Sequence, residues 1–271
     1  MDFKEKLSRM VEKNDSLLCV GLDIDKEKMP KHLFKKSKDP YFEFSKSIID
    51  ATKGIVCAYK LNMAFYEVLG IEGYSLLEKI IKHIPKEVVI VLDGKRNDIG
   101  NTSKKYAQSI FETLKCDAAT VNPYLGIDAV KPFLDYKDKY SFILCRTSNP
   151  SATDFQDLVI KNKPLYRIVA EKIKDWNKKY NNCGAVVGAT YPEELRTIRK
   201  ILGNEIILLI PGIGAQGGNV EKTVKYGVSK NGEKALIVSS RSIIYAGNNE
   251  DYIQKARNKA ISLRDQINNY R

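Results

Sequence analysis

Residues able to perform acid–base chemistry stand together in the segment Asp93-Gly94-Lys95-Arg96-Asn97-Asp98, which follows an apolar run. If that run is a strand that continues through residue 95, Asp93 and Lys95 share one of its faces. Lys60 ends an earlier apolar run and could approach the pair from a neighbouring strand. With Asp98, these residues could form an alternating array of carboxylate and ammonium charges that neutralises itself without a metal ion. The carboxylates would keep Lys95 charged, as suits a general acid that gives its proton only to a strong base.

Two structural interpretations of the same residues remain open at this point. Asp98, or Asn101 together with Thr102, could cap the helix that follows. Asp93 and Lys95 could form an exposed ion pair, which would contribute little to stability. We favour a catalytic array because three consecutive apolar runs each deliver a charge at their carboxyl ends.

A glycine-rich segment, Pro211-Gly212-Ile213-Gly214-Ala215-Gln216-Gly217-Gly218, follows the seventh apolar run, and Ser239-Ser240-Arg241-Ser242 follows the eighth. Glycines let backbone N–H groups approach an anion, and Arg241 can supply a two-pronged charged contact. A tight loop that uses glycine only for its backbone freedom is the structural alternative. We predict a phosphate loop formed by Gly214, Gly217, Gly218 and Ser240.

The spacing Gly212-x-Gly214-x-x-Gly217 also matches the dinucleotide-binding fingerprint. That fingerprint requires an acid near the end of the next strand, whereas the next apolar run here ends in Ser239-Ser240-Arg241. Arg241 could accommodate a 2′-phosphate, so an NADP-dependent oxidoreductase remains an alternative.

Eight apolar runs of strand length recur along the 271 residues, each followed by a segment with helical periodicity. Such runs are typical of parallel strands buried on both faces, and eight units match the usual size of a (β/α)8 barrel. We therefore predict an α/β fold with one TIM-barrel domain over residues 1–271 and an N-terminal helix that closes the barrel bottom. A doubly wound open sheet remains an alternative. The runs cover residues 17–22, 56–61, 88–92, 118–121, 142–145, 184–187, 206–210 and 235–238.

Charge and composition narrow the class of protein. The net charge of +12 would suit an anionic partner, but the lysines are interleaved with acids and form no basic stripe. We therefore predict no nucleic-acid partner and keep a basic RNA-binding protein as an alternative.

Five widely spaced cysteines predict reduced core thiols, and two histidines argue against a multi-histidine metal centre. The chain has neither a long apolar span nor a signal-peptide pattern, so we expect a cytoplasmic protein without membrane association.

The segment from Asp93 to Thr102 closely resembles the D-x-K-x-x-D-I-x-x-T signature of the orotidine 5′-phosphate decarboxylases. The segments 211–218 and 240–241 are similar to the phosphate-binding loops of that family, and the resemblance runs from Asp23 to Arg241. The sequence of the central motif resembles the sequences of the longer bacterial and protozoal branch of the family. It is also similar to the decarboxylase domain of UMP synthases. The resemblance implies decarboxylation of orotidine 5′-phosphate to UMP, the last step of de novo pyrimidine nucleotide synthesis, with neither metal nor cofactor.

The resemblance also implies a role for each matching position. Lys95 would protonate C6 of the pyrimidine, Asp93 would lie beside the leaving carboxylate, and Lys60 would link this network to the ribose. Asp98 and Thr102 would reach into the partner's site of a homodimer with shared active sites. The substrate would be bound by the following residues: Asp23 at a ribose hydroxyl, Ser148 at the pyrimidine, Gln216 and Arg241 at the 5′-phosphate, and Asn62 and Asn122 at the ribose or the charge network.

Relatives with other activities define the main alternative. Sugar-phosphate decarboxylases and hexulose phosphate synthases resemble this family but use a magnesium-stabilised enediolate, for which additional acids are needed near the strand ends. Apart from Asp23, Asp93 and Asp98, no such acid is obvious.

The resemblance to the pyrimidine enzyme also implies a functional link to an orotate phosphoribosyltransferase. Residues 151–163 read as an irregular, polar insert and a candidate lid.

Overall fold

The computed structural model describes residues 1–214 and 216–271. Its strands form a closed parallel barrel with the order β1-β10-β9-β8-β5-β4-β3-β2, while β6 and β7 pair antiparallel outside the barrel. In chain order the strands are β1 (Leu18–Gly21), β2 (Ala58–Asn62), β3 (Val89–Arg96), β4 (Ala118–Val121), β5 (Tyr140–Arg146), β6 (Val159–Ile160), β7 (Lys163–Pro164), β8 (Cys183–Val187), β9 (Leu208–Pro211) and β10 (Ala235–Ser239).

Helices follow the barrel strands and cover their outer faces, as the alternating pattern predicts. Short 3₁₀ turns lie at Lys26–Lys28 and Pro150–Asp154, and a π turn at Ser109–Thr113 extends the helix before it. The helices are α1 (Phe3–Asn14), α2 (Leu33–Lys36), α3 (Pro40–Thr52), α4 (Ala64–Glu67), α5 (Gly70–His83), α6 (Gly100–Gln108), α7 (Ile127–Leu134), α8 (Leu165–Tyr180), α9 (Pro192–Leu202), α10 (Val220–Gly227), α11 (Arg241–Ile244) and α12 (Tyr252–Asn268).

The predicted (β/α)8 barrel is confirmed, and each of the eight apolar runs overlaps a barrel strand. The open-sheet alternative is wrong because β1 pairs with both β2 and β10, which closes the sheet. Strands such as β4 and β8 are buried along their whole length, as is typical of parallel strands between a core and a helical layer. Strand register aligns Gly21 with Lys60 and Asn62 with Asp93. The charged residues of neighbouring strands therefore meet at one end of the barrel.

Helix α1 closes the opposite end, where the strands begin. Asp2 caps it through a capping box with Glu5. The Phe3 ring stacks on Tyr140, the first residue of β5, with 4.6 Å between ring centroids. The Lys6 ammonium lies 2.6 Å from the Asp117 carboxylate, just before β4. The predicted position of the N-terminal helix is thus confirmed.

Arg199 of α9 is a buried guanidinium near the same end of the barrel. It donates five hydrogen bonds to backbone carbonyls, two to Gly227 and one each to Gly203, Ile206 and Lys234. These carbonyls lie in the turns before β9 and β10 and at the end of α10. Burial lowers the pKa of Arg199 to about 10, which leaves it charged near neutral pH. The side chain therefore joins two successive α-to-β connections, the one before β9 and the one before β10.

Two further expectations concern the cysteines and the insert. All five cysteines are buried free thiols, as predicted. Residues 151–163 are more ordered than an irregular insert, because they include most of a 3₁₀ turn and of the hairpin formed by β6 and β7. No helix within residues 1–214 or 216–271 is both long enough and apolar enough to cross a membrane.

Candidate active site

A cavity of about 380 Å³ opens at the carboxyl ends of the barrel strands, which is the size range of small-ligand sites. One end is charged, the opposite end is formed by the loop after β9 and the start of α11, and the floor between them is apolar. The lining residues are Asp23, Lys60, Asn62, Asp93, Lys95, Thr120, Leu144, Thr147, Ser148, Asn149, Val186, Leu209, Pro211, Gly212, Ile213, Gln216, Val238, Ser240 and Arg241.

The charged end is an ordered chain of carboxylates and ammonium groups. Lys60 Nζ lies 3.6 Å from Asp23 Oδ1 and 3.0 Å from Asp93 Oδ2. The other oxygen of Asp93 lies 2.8 Å from Lys95 Nζ. The side chain of Lys60 is 6% exposed and that of Lys95 is 46% exposed. Lys95 is therefore the ammonium that can meet a ligand, and Lys60 is enclosed by protein.

Charge pairing dominates the titration of the buried members of this array. Burial lowers the pKa of Lys60, but attraction to Asp93 and then to Asp23 outweighs it and raises the pKa above its usual value. Burial raises the pKa of Asp93, but Lys60 and Lys95 outweigh it and hold the pKa well below its usual range. Both groups are thus charged across the physiological pH range.

Thr120 completes this array and was missed in the sequence. Its hydroxyl donates to Asp93 Oδ1 at 2.8 Å and accepts the Lys95 backbone N–H at 2.9 Å. Lys95 has φ +45°, in the left-handed region, and the pairing of β3 with β4 shifts register just before it. Asp93 and Lys95 thus meet across a strained backbone rather than along a regular strand. A single hydroxyl residue within the apolar β4 was the available signal.

Asp23 has one carboxylate oxygen that is buried without a hydrogen-bond partner in the described residues, and the side chain lines the cavity. Tyr245 fixes the backbone at this position, because its hydroxyl donates to the Asp23 carbonyl at 2.8 Å and accepts the Asp25 N–H at 2.6 Å. The unpartnered Asp23 oxygen is Oδ1, which faces Lys60, and the 14% of the side chain that stays exposed could accept a ligand hydroxyl. Tyr245 was not identified in the sequence, since it lies far along the chain and carries no motif.

The opposite end of the cavity contains Arg241, Gln216 and Ser240, together with the backbone of Gly212, which has φ +114°. The predicted phosphate-loop residues Gly214, Gly217 and Gly218 lie outside the lining. A Cβ on Gly214 would stand 2.4 Å from Ser242 Oγ, and one on Gly218 would stand 2.7 Å from the Gly212 carbonyl oxygen. These glycines permit the loop to pack closely, and Gly212 is the glycine that faces the cavity.

The remaining predicted residues lie in three places. Asn62 and Ser148 line the cavity, whereas Asn122 lines a neighbouring cavity and accepts the Tyr124 N–H. Asp98 and Thr102 lie outside the lining. Asp98 accepts the N–H of the next residue, and Asn101 and Thr102 lie inside α6. None of these side chains caps the helix, so the capping interpretation is wrong for all three residues.

A metal site would need a third ligand beside Asp23 and Asp93, and both of these carboxylates face Lys60. Within residues 1–214 and 216–271, no three His, Cys, Asp or Glu side chains gather in a metal-binding arrangement. What the cavity offers instead is a fixed ammonium beside a carboxylate, an arrangement suited to proton transfer.

Comparison with known proteins assigns the family. Residues 16–256 match the model of the orotidine 5′-phosphate decarboxylase / HUMPS family. The chain is 47% identical over 275 aligned residues to the orotidine 5′-phosphate decarboxylase of Dehalococcoides mccartyi, with 100% of this chain and 99% of the relative covered.

Two solved structures from Leishmania donovani share the fold. The OMP decarboxylase superposes with a TM-score of 0.83 at 35% identity, covering 98% of this chain and all of the other. The UMP synthase superposes with a TM-score of 0.89 at 37% identity, covering 100% of this chain and 56% of that larger chain. By sequence and by structure, the chain belongs to the orotidine 5′-phosphate decarboxylase / HUMPS family.

Proposed function

We propose that this protein decarboxylates orotidine 5′-phosphate to UMP in pyrimidine biosynthesis, without a metal ion or an organic cofactor. The observation that carries the proposal is the charged array in which the buried Asp93 lies between the ammonium groups of Lys60 and Lys95. The relative from Dehalococcoides mccartyi bears the name of this activity.

The cavity has groups suited to each part of this nucleotide. Arg241 and Gln216 would bind the 5′-phosphate, with the Gly212 backbone and Ser240 beside them. The Asp23 carboxylate, which lines the cavity, would accept a ribose hydroxyl, with Asn62 nearby. The loop of residues 147–149, which includes Ser148, would meet the pyrimidine ring.

The reaction breaks the bond between C6 and its carboxyl group and leaves an electron pair on C6. The ring delocalises this pair poorly, so an ammonium fixed at that carbon stabilises the charge as it develops. Lys95 would donate a proton to C6 and later regain one from solvent. Asp93 would lie beside the departing carboxylate and hold the Lys95 ammonium in place. Binding energy from the distant phosphate would help to organise the site.

We further propose a homodimer in which Asp98 and Thr102 complete the partner's site. Both residues lie outside the cavity of their own chain. Exposed apolar side chains occur close by in the sequence or after the adjacent strand, with Ile99 55% and Tyr124 81% exposed. Apolar groups of this kind favour burial against another subunit.

Mixing two inactive variants tests the shared site. If Asp98 acts across the interface, a dimer of one Lys95→Ala chain and one Asp98→Ala chain contains one intact site. Reassembly of an equal mixture would then restore about a quarter of the parental activity. A mixture as inactive as its components would contradict the shared site.

We place the protein in the cytoplasm, acting on a small nucleotide rather than on nucleic acid or a membrane. The substrate carries a phosphoribosyl group on orotate, so an orotate phosphoribosyltransferase would supply it. The larger UMP synthase of Leishmania donovani contains a region similar to this chain. Co-purification of the two activities from cells is the measurement for this link.

The direct test follows the loss of orotate absorbance when EDTA-treated protein is mixed with orotidine 5′-phosphate. Rapid, metal-free turnover is the expected result. A folded protein that turns over sugar phosphates only after magnesium is added would overturn the proposal in favour of the enediolate chemistry.

A further inference from the structure

The loop of residues 147–149 lines the cavity between its charged and its glycine-rich ends. Its backbone is held from behind by residues that lie outside the lining. Thr190 donates a hydrogen bond to the Ser148 carbonyl at 3.1 Å, and the Tyr191 hydroxyl lies 3.4 Å from the Asn149 carbonyl. The first residue of the loop, Thr147, is held differently, by the insert that follows it.

Gln156 makes two hydrogen bonds to Thr147. Its Oε1 accepts the Thr147 backbone N–H at 2.8 Å, and its Nε2 donates to Thr147 Oγ1 at 2.8 Å. The Thr147 hydroxyl in turn donates to Asn149 Oδ1 at 2.7 Å. One side-chain amide thus fixes both the backbone and the hydroxyl of a residue in the cavity wall.

Arg146 holds Gln156 in this position. The Arg146 side chain is fully buried, and its guanidinium donates to Gln156 Oε1 at 3.3 Å and to Asp157 Oδ2 at 3.1 Å. The guanidinium also lies 3.8 Å from the centroid of the Tyr191 ring. A buried charge with this many partners has little freedom to move, so residues 156 and 157 are fastened to the end of β5.

We propose that Gln156, held by Arg146, is a positioning residue that sets the affinity of the site for the pyrimidine ring. The inference rests on the proposed function, because that function places the ring against residues 147–149. The phosphate and ribose contacts lie on other elements, at residues 23, 212, 216 and 241. Gln156 therefore acts on one part of the nucleotide and leaves the other parts unaffected.

The test compares two ligands that differ in the base. UMP carries base, ribose and phosphate, whereas ribose 5-phosphate lacks the base. Calorimetric titration of Gln156→Ala is expected to show UMP binding weakened about tenfold, the cost of losing one to two hydrogen bonds. Ribose 5-phosphate should bind within twofold of the parent. In turnover, KM for orotidine 5′-phosphate should rise more than kcat falls.

Two variants serve as controls. Gln156→Glu keeps an acceptor for Thr147 and Arg146 and should restore most of the UMP affinity. Asp154→Ala alters an exposed residue of the same insert and should leave both affinities unchanged. Equal weakening of both ligands in Gln156→Ala would indicate a general loss of structure and overturn the inference, as would unchanged UMP affinity. A parental protein that neither binds UMP nor consumes orotidine 5′-phosphate would instead refute the proposed function.

Discussion

Replacing Thr120 with valine tests how the charged array is held together. Valine has nearly the shape of threonine but lacks the hydroxyl that donates to Asp93 Oδ1 and accepts the Lys95 N–H. Thr120 is buried and the second methyl group of valine would fill the place of the hydroxyl, so no water fits there to replace either contact. The change leaves the strained Lys95 backbone without its hydrogen-bond partner while every charge remains in place.

The expected loss of stability in Thr120→Val follows from these two hydrogen bonds. A hydrogen bond to a charged acceptor contributes about 2 kcal/mol, and an unsatisfied buried N–H costs about 1 to 3 kcal/mol. Thr120→Val should therefore destabilise the protein by at least about 3 kcal/mol. If about half of this loss also falls on the geometry of Lys95 in the transition state, kcat decreases roughly tenfold. Thr120→Ser removes one methyl group at a cost of about 1 kcal/mol and keeps both hydrogen bonds.

Urea denaturation and kcat for orotidine 5′-phosphate, measured on both variants, separate the effects. The serine variant is expected to lose about 1 kcal/mol of stability and to retain kcat within about twofold. A valine variant with the kcat of the parent would refute the reasoning that Thr120 positions Lys95. Equal loss of kcat in both variants would refute it too, because the serine variant retains the hydroxyl.

The remaining predictions concern stability, the phosphate loop and pH. Arg199→Met should lower the free energy of unfolding by about 3 to 5 kcal/mol in urea denaturation, whereas the exposed Arg196→Met should change it by less than about 1 kcal/mol. Gly214→Ala should weaken UMP binding about tenfold in calorimetry, because φ is +89° and a Cβ would overlap a serine hydroxyl; unchanged affinity would contradict this. The lowered pKa of Asp93 stabilises the fold above its unfolded pKa of about 4, and this contribution is lost as pH falls through the folded pKa. The raised pKa of Lys60 stabilises the fold below about 10, and this contribution is lost as pH rises through the folded pKa. The destabilisation by Asp93→Asn should therefore stay constant between about pH 5 and 9 in urea denaturation, and a decline between pH 6 and 7 would argue against the pairing.

The barrel and the charged array could be predicted because both follow from local patterns. A strand buried on both faces must be apolar along its length, so the eight runs stand out in the sequence. Parallel strands place their carboxyl ends together, so charges that follow consecutive strands must meet. Lys60, Asp93 and Lys95 illustrate this rule.

Residues that support the cavity wall from outside could not be predicted, because they depend on distant contacts. Tyr245 meets the Asp23 backbone more than two hundred residues away in sequence. Gln156 reads as one polar residue in an insert, and only the fold reveals its two bonds to Thr147. The glycines of the predicted phosphate loop were identified as a motif, yet which of them faces the cavity depends on backbone angles that composition does not determine.

The most direct test of the central claim is the rate of decarboxylation by Lys95→Ala beside Lys105→Ala, a change at an exposed lysine of α6. Binding of UMP to both variants would first establish that the site remains folded. We predict that Lys95→Ala reduces kcat by roughly a thousandfold or more and that Lys105→Ala leaves it unchanged. A Lys95→Ala protein that binds UMP and retains kcat within tenfold of the parent would contradict the assignment of Lys95 as the proton donor.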